Sequence, residues 1–238
     1  MNAVLPRRLT IISFFRDAAG LQVHRFIKQC ALLQAVWPGA IRIVAVYGDC
    51  MDATKPQLLA EAEARNLALH LVEYNTKVPR YGSTEQPERM AALSRLSNCG
   101  LDFAATLLEM HTAEQILYVE SDLIWDADVI VELMHSLDSS NADAMAPLVF
   151  AGENFYDVWA FRGLDGQRFS PFPPYHSSLK GKATIQVSSV GSCFLMERWV
   201  LENVRIKNEG ALVGFWREAK DHGFSVKVSP GQRVRHPA

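Results

Sequence analysis

The chain has 238 residues, of which 49% are hydrophobic and 21% are charged, and its formal net charge is −2. This composition is typical of a globular protein with room for one α/β domain or two small ones, and the charge gives no indication of a general affinity for nucleic acid or anionic membranes. The four cysteines, Cys30, Cys50, Cys99 and Cys193, are widely spaced without a C-x-x-C pair, which argues against a zinc cluster or a disulfide framework.

The first part of the chain alternates apolar runs with helical patterns. We predict strands at residues 9–15, 41–47 and 69–74, and helices at residues 21–36 and 55–66. Strands that alternate with helices predict a parallel sheet wound by right-handed crossovers. Residues 75–87 contain Pro79, Gly82 and Pro87 and predict a loop, and a helix is expected at residues 88–110, with Cys99-Gly100 as a place where it could break.

An apolar run from Gln115 to Val119 ends in two carboxylates, Glu120 and Asp122. The run predicts a central strand that is buried on both faces and that delivers the two acids to its carboxyl edge, where α/β sheets bind ligands. Residues i and i+2 of an extended segment point the same way, so both carboxylates can converge on one cation that carries phosphate oxygens. The sequence therefore predicts a metal site here.

Two acids after a strand could instead merely begin the next helix. Asp126 and Asp128 are available for that role, because they directly precede the periodic segment at residues 129–134. Asp126-Ala127-Asp128 is also a D-x-D string and has to be weighed as a rival metal site. We favour Glu120 and Asp122.

The second half of the chain is less regular. Strands are expected at residues 144–150 and 185–190, a turn into an apolar segment at 191–196, a helix at 212–221, and a strand at 225–228 followed by a basic tail at 233–236. Residues 152–182 are rich in aromatic residues and proline with little periodicity, which is typical of a long functional loop or a partly disordered flap.

These features occur in an order that resembles nucleotide-sugar glycosyltransferases of the GT-A fold, and the resemblance covers nearly the whole chain. They are the strand with paired acids, the turn Gly191-Ser192-Cys193-Phe194-Leu195, an acid before the 212–221 helix, and a histidine near the end. The "DXD" metal motif of the family would be Glu120-Ser121-Asp122, which departs from the pattern in its first residue. The implied fold is an α/β, Rossmann-like GT-A fold with a mostly parallel central sheet flanked by helices and a loop-rich C-terminal half.

A narrower resemblance involves residues 116–128, 146–150 and 156–160, which look like fungal mannan-polymerase mannosyltransferases and their bacterial and phage relatives. This resemblance implies a nucleoside-diphosphate sugar donor, either a GDP-sugar or a UDP-sugar, with GDP-mannose as the family's substrate. It also implies a single domain over residues 1–238, with a nucleotide-binding half at about 1–125 and an acceptor-binding half at about 126–238.

The resemblance also implies donor-binding residues. Phe15 and Arg16 would hold the base and ribose, and Asp49 would contact one of them; a solvated arginine and a simple turn aspartate are the plainer alternatives. Arg89 and Arg95 are six residues apart and do not share one helical face, so we expect only Arg95, with Asn98, to reach a phosphate. Ser121, Trp159, Gly191 and Ser192 complete the donor-binding set, with Trp159 as a wall for donor or acceptor and Gly191 and Ser192 allowing close backbone approach.

For the metal, the resemblance adds His236 to Glu120 and Asp122. An imidazole ligand suits Mn²⁺ better than Mg²⁺, which is the second choice; a mobile surface histidine near the terminus is the alternative. The metal would act as a Lewis acid on the diphosphate. For the catalytic base we choose Glu209, with Asp157 second; a helix-capping acid and a structural hydrogen-bonding role are the respective alternatives.

Other classes remain open at this stage. A nucleotidyltransferase would favour a Gly-rich loop after the first strand, which residues 14–17 lack; a nucleotide-sugar hydrolase and a non-catalytic binding module are further alternatives. The acceptor hydroxyl could belong to a glycan, a lipid, a protein or a modified nucleobase. Since no apolar run approaches the ~20 residues of a membrane span and the start lacks a signal-peptide pattern, we expect a cytoplasmic protein.

Overall fold

The computed structural model describes residues 7–79, 85–109, 113–179, 181, 183–207 and 210–237. The first half contains β1 (Arg7–Phe15), α1 (Leu21–Val36), β2 (Gly39–Tyr47), α2 (Thr54–Glu63), β3 (Ala68–Glu73), α3 (Pro87–Thr106) and β4 (Ala113–Val119). The second half contains α4 (Ala127–Asp138), β5 (Ala144–Ala151), β6 (Asn154–Phe155), β7 (Ile185–Val187), β8 (Cys193–Glu197), α5 (Arg198–Asn203), α6 (Leu212–Asp221) and β9 (Val226–Arg235).

The described strands form one nine-stranded sheet in the order β3-β2-β1-β4-β8-β5-β9-β7, with β6 paired to β5. Strands β1 to β4 are mutually parallel, and β8 lies antiparallel between β4 and β5. β9 is parallel to β5, so β1, β2, β3, β4, β5 and β9 all run in one direction. This agrees with the expected mostly parallel sheet and brings the carboxyl ends of β1, β2 and β4 to the same edge.

Helices cover both faces of the sheet. Along β4, Leu117 and Val119 pack into the hydrophobic layer under α1 and α4, and Ile116 and Tyr118 pack into the layer under α3, α5 and α6. Successive side chains of a strand point to opposite faces. The burial of β4 on both faces is therefore confirmed, and the strand is a rigid base for the acids that follow it.

Helix α3 is continuous through Cys99-Gly100, where a break was considered. A Cβ on Gly100 would lie only 3.0 Å from methyl carbons of Ile12 and Val46. The glycine therefore lets the helix pack closely against β1 and β2 rather than ending it.

The irregular segment between β5 and β7 is packed into the protein in its described part. Phe155, Phe161 and Phe169 are each no more than 2% exposed and contact one another.

Three elements of the second half differ from those expected. The strand expected at 185–190 ends at Val187, and helix α5 was not predicted. The basic tail is part of strand β9 as far as Arg235. The division into a nucleotide-binding and an acceptor-binding half stays a prediction. None of the helices in the described residues combines the length and apolar character that crossing a membrane requires.

Candidate active site

The acids after β4 lie in a tight turn. The Glu120 N–H donates to the Ser192 carbonyl (2.9 Å), and the Leu123 N–H donates to the Glu120 carbonyl (3.2 Å). The Ser121 hydroxyl donates to the Phe14 carbonyl (2.5 Å) and accepts from Gln22 (2.8 Å). The Ser121 side chain is thus bonded within the protein, between the carboxylates of Glu120 and Asp122.

Asp122 faces His236. Its Oδ2 lies 3.3 Å from the His236 Nε2, and the imidazole stacks on the Tyr156 ring at a centroid distance of 3.9 Å. The other oxygen, Oδ1, is buried and has no hydrogen-bond partner among the described residues. The backbone of this histidine is held in place, because the backbone N–H of His236 donates to the Phe150 carbonyl (2.7 Å). The preceding residue, Arg235, exchanges two backbone hydrogen bonds with Ile124. The end of β9 therefore belongs to the site.

Asp157 is the third acid of this cluster. Its Oδ2 accepts from the Ser192 N–H (2.9 Å) and its Oδ1 accepts from the Ser192 hydroxyl (2.6 Å). A Cβ on Gly191 would lie 2.7 Å from the Asp157 Oδ2 and 2.9 Å from the Ala160 Cβ. A glycine is therefore required at 191 for the backbone to approach this carboxylate.

The charge of Asp122 disfavours the ionised forms of Glu120 and Asp157. Burial, then the charges of Asp157 and Asp122, raise the pKa of Glu120 to about 8, against the opposing effects of Ser192 and Arg89. Burial raises the pKa of Asp157 to about 6, although its hydrogen bonds to Ser192 lower it. Such shifts in a cleft are typical of functional sites, and a bound cation would relieve the repulsion.

The side chains of this cluster are suited to bind a divalent cation. Within the described ranges, no three His, Cys, Asp or Glu side chains are already arranged as a metal-holding group. However, Asp122 has a buried oxygen without a hydrogen-bond partner among the described residues, and its other oxygen lies beside the His236 imidazole. Glu120 is close enough for the charge of Asp122 to raise its pKa. Carboxylate oxygens with one imidazole fit Mn²⁺ when a diphosphate supplies further oxygens.

A cavity of about 650 Å³ opens beside these acids. Of the predicted residues, its lining includes Glu120, Asp157, Trp159, Gly191 and Ser192. Its other lining residues are Glu85, Pro87, Arg89, Met90, Leu93, Tyr156, Val158, Ala160, Arg162, Arg168, Gly210, Ala211, Leu212, Val213 and Arg217. We call this the large cavity.

A second cavity of about 210 Å³ lies at the carboxyl ends of β1, β2 and β3, and we call it the small cavity. Phe15, Arg16 and Asp49 line it, and their role in binding a nucleoside stays a prediction. Arg89 and Leu93 line both cavities, so the two spaces adjoin at α3.

Two polar residues shape the small cavity. Arg16 donates to the Val78 carbonyl (3.1 Å), and its Nε is buried without a hydrogen-bond partner among the described residues. The Asp49 carboxylate accepts from Thr76 and the Lys77 N–H, and the Thr76 hydroxyl is the largest cause of its lowered pKa. Asp49 therefore secures the loop after β3 as well as lining the cavity.

Other predicted residues lie elsewhere. Arg95 is exposed and lines neither cavity, whereas Arg89 lines both, which reverses the expected choice between them. The Asn98 amide bonds the Ile206 backbone at 2.9 and 2.8 Å, so it joins α3 to the segment after α5. Glu209 lies outside the described residues.

The rival D-x-D string has a different environment. Asp126 and Asp128 are exposed at the start of α4, line neither cavity, and Asp126 makes no side-chain capping bond. Sequence reasoning missed Tyr156, Arg162, Arg168 and Arg217 as cavity residues, and no local pattern distinguishes them. For Arg89 a signal was present, because Arg89, Leu93 and Leu96 follow the i, i+4, i+7 spacing of one helical face.

Comparison with known proteins gives three findings. A family profile described as Cryptococcal mannosyltransferase 1 matches residues 24–194. A search of curated protein sequences finds no match. Among solved structures, mannosyltransferase PcManGT from Pyrobaculum calidifontis in complex with GDP-Man and Mn²⁺ is 16% identical with a TM-score of 0.56, covering 98% of this chain and 57% of that one.

Staphylococcus aureus TarS 1-349 in complex with UDP is also similar, with 10% identity and a TM-score of 0.57, covering 97% of this chain and 60% of that one. A mycobacterial protein of known structure gives 12% identity and a TM-score of 0.55, covering 98% and 68% of the two chains. The chain thus spans only 57% to 68% of these three structures. The similarity confirms the expected GT-A fold.

Proposed function

The chain belongs to the family described as Cryptococcal mannosyltransferase 1, and from this premise we propose that it transfers a hexose from a nucleoside-diphosphate sugar to an acceptor hydroxyl. The observation that carries the proposal is the cluster of Glu120, Asp122, Asp157 and His236, of which Glu120 and Asp157 line the large cavity. PcManGT, which shares the fold, was solved with GDP-Man and Mn²⁺. GDP-mannose and Mn²⁺ are therefore the first donor and metal to test.

Glu120, Asp122 and His236 would hold the metal. When bound, the cation would neutralise the negative charge that develops on the departing nucleoside diphosphate. The buried Asp122 Oδ1 without a partner supports this assignment, because a buried carboxylate oxygen is costly to leave unsatisfied. The hydrogen bond from the His236 backbone N–H to the Phe150 carbonyl holds the backbone that carries this imidazole.

The remaining donor would extend from the large cavity into the small one. Phe15, Arg16 and Asp49 would surround the nucleoside. Arg89, where the two cavities adjoin, would bind a phosphate, because the planar guanidinium group can donate to two phosphate oxygens. Trp159 lies under this guanidinium, 5.9 Å from ring centroid to Cζ, and would form a wall beside the sugar.

The acceptor hydroxyl must lose a proton when it attacks the sugar. Asp157 lines the large cavity, and its raised pKa of about 6 leaves it ionised above that pH and a better proton acceptor than an ordinary aspartate. Ser192 would act as its positioning residue through two hydrogen bonds. Glu209, the first choice from the sequence, lies outside the described residues and is the second candidate here.

The test is Mn²⁺-dependent turnover of GDP-mannose by the purified protein with a panel of glycan, lipid and peptide acceptors. Replacing both Glu120→Gln and Asp122→Asn should reduce turnover at least about a hundredfold, since electrostatic stabilisation of the leaving group is lost. The matched control is Asp126→Asn with Asp128→Asn, which removes two carboxylates from the other D-x-D string and should leave turnover near the wild-type value.

Full turnover by the Glu120→Gln, Asp122→Asn protein, with its fold intact by circular dichroism, would reject the metal assignment. Loss of turnover in the Asp126, Asp128 control alone would move the metal to that string. Release of free mannose without a glycosylated product on any acceptor would indicate a nucleotide-sugar hydrolase instead.

A further inference from the structure

Two arginines face each other across the large cavity's irregular wall. Arg162 and Arg168 form an antiparallel β-bridge, and the Gly163 N–H bonds the Gln167 carbonyl (3.0 Å) to close the hairpin between them. Both residues line the large cavity. Side chains directly opposite each other in such a bridge lie on one face, and like charges in this arrangement destabilise it.

Only part of this positive charge is compensated. Glu85 binds Arg168 through two hydrogen bonds of 2.9 Å. Arg162 is half-buried and donates to the carbonyls of Phe161 (3.0 Å) and Val158 (3.4 Å), and in the described part of the chain no carboxylate lies within 4.0 Å of its guanidinium. Burial, followed by the charge of Arg168, lowers the pKa of Arg162.

The position of this pair separates it from the nucleoside. The Arg162 N–H donates to the Ser189 carbonyl (3.1 Å), which places the hairpin beside the segment that leads to Gly191 and Ser192. Neither arginine lines the small cavity. An anion held by the pair would therefore be part of a molecule that enters the large cavity next to the reacting sugar.

We propose that the acceptor carries an anionic group, a carboxylate or a phosphate, that binds between Arg162 and Arg168. The planar guanidinium groups donate paired hydrogen bonds that match the oxygens of either anion. A bound anion would relieve the repulsion across the hairpin and orient the acceptor hydroxyl toward Asp157. The inference rests on the proposed function, because it assigns the acceptor of the same site.

The experiment measures binding of matched sugars to the full chain in the presence of saturating GDP and Mn²⁺, which fill the donor side. Glucuronate is compared with methyl glucoside, and mannose 6-phosphate with mannose, by isothermal titration. We expect at least one anionic sugar to bind about tenfold or more tightly than its neutral partner, as loss of a charge-assisted hydrogen bond implies. The preferred pair tells whether the group is a carboxylate or a phosphate.

Arg162→Gln should abolish most of that preference, and Arg162→Lys should restore part of it. Arg65→Gln, which removes a surface arginine outside both cavities, should keep it. If Arg162→Gln does not fold, the exposed Arg168→Gln gives the same test. Equal affinity of the wild type for anionic and neutral sugars, or a preference unchanged in the arginine variants, would overturn the inference.

The two proposals fail separately. A protein that binds neither GDP nor UDP in the presence of Mn²⁺ contradicts the proposed function, whatever sugars it binds. A protein that binds GDP and Mn²⁺ and turns over GDP-mannose but ignores the charge of the sugar contradicts only the assignment of the acceptor.

Discussion

At Glu120, the stability of the folded protein and the proposed function make opposite demands on one carboxyl group. It is placed among Asp122 and Asp157, and both charges, together with burial, disfavour its ionised form. A cluster selected for folding alone would not keep three acids this close together, because like charges at short range repel. A cation that binds the ionised cluster would offset that cost.

This leads to a prediction for the metal-free protein. The pKa of Glu120 rises from an ordinary value of 4.5 to about 8, so the folded state holds this proton more tightly than the unfolded state. The cost of ionisation is absent below about pH 4.5 and grows as the pH rises toward 8. With EDTA present, Glu120→Gln should raise the free energy of unfolding by roughly 1–3 kcal/mol at pH 8 and leave it unchanged at pH 4.

Denaturant unfolding at the two pH values measures this difference. Asp126→Asn, an exposed acid outside both cavities, is the control and should show no such pH-dependent gain. Added Mn²⁺ should make the wild type the more stable of the two proteins at pH 8, because only the wild type retains the Glu120 carboxylate as a metal ligand. A Glu120→Gln protein that is less stable than the wild type at pH 8 in EDTA would contradict the account.

Sequence reasoning found some of these residues for a clear physical reason. Glu120 and Asp122 follow an apolar strand, and a buried strand can only deliver its terminal acids to an edge. Tyr156 and Arg162 could not be found in this way, because they lie in an irregular segment whose path depends on Phe155, Phe161 and Phe169 packing into the core. Contacts distant in sequence decide where such side chains point.

At the scale of elements, regular hydrophobic periodicity predicted the longer helices. It did not predict short helices or strands that depend on pairing with a distant part of the chain. The predicted bounds of α1 and α6 agree with the structure. Helix α5 is only six residues long, too short for a hydrophobic repeat to be visible. The tail became part of β9 because it pairs with β5, across an irregularity near Pro147 that no local pattern reveals.

The helical phase of α3 decides which of its two arginines lines the cavities. Arg89 and Arg95 are separated by about 600° of helical rotation, or 240° after full turns are removed, so they lie on different faces. Arg89 is on the face that lines both cavities, and Arg95 is exposed. Arg89→Gln should therefore weaken GDP binding about tenfold or more, as expected for loss of a charged hydrogen bond.

Arg95→Gln is the matched control, since it removes the same charge from the same helix. We expect its affinity for GDP, measured by titration in the presence of Mn²⁺, to be close to the wild-type value. A large loss in Arg95→Gln with none in Arg89→Gln would restore the choice made from the sequence. It would also show that α3 is rotated or displaced when the nucleotide binds.

At the scale of the whole molecule, the sheet order joins two environments. The parallel strands β3, β2 and β1 end at the small cavity. Glu120 after β4 and Asp157 after β6 line the large cavity, together with Gly191 and Ser192 before the antiparallel β8. β4 lies beside β1, which ends at the small cavity, and Glu120 at its own end lines the large one. A donor that extends from one cavity into the other, as proposed, would have its diphosphate beside Glu120, Asp122 and Asp157.

That placement predicts coupling between nucleotide and metal. Above about pH 8, where Glu120 is ionised even without a cation, the diphosphate of GDP meets the negative charges of Glu120, Asp122 and Asp157 and should bind weakly. With Mn²⁺ the repulsion is replaced by attraction, so each ligand should increase the affinity for the other by the same factor. Thermal unfolding should show a shift with both ligands that exceeds the sum of the two separate shifts by several degrees.

His236→Ala tests whether the last strand takes part in this coupling. The variant removes one metal ligand while β9 remains paired with β5, so the metal-free melting temperature should change little and the joint shift should decrease. Phe172→Ala, an exposed aromatic residue outside both cavities, should keep the joint shift. If GDP alone gave the full shift in EDTA, the three acids would not oppose the diphosphate, and the metal would have no role in binding the donor.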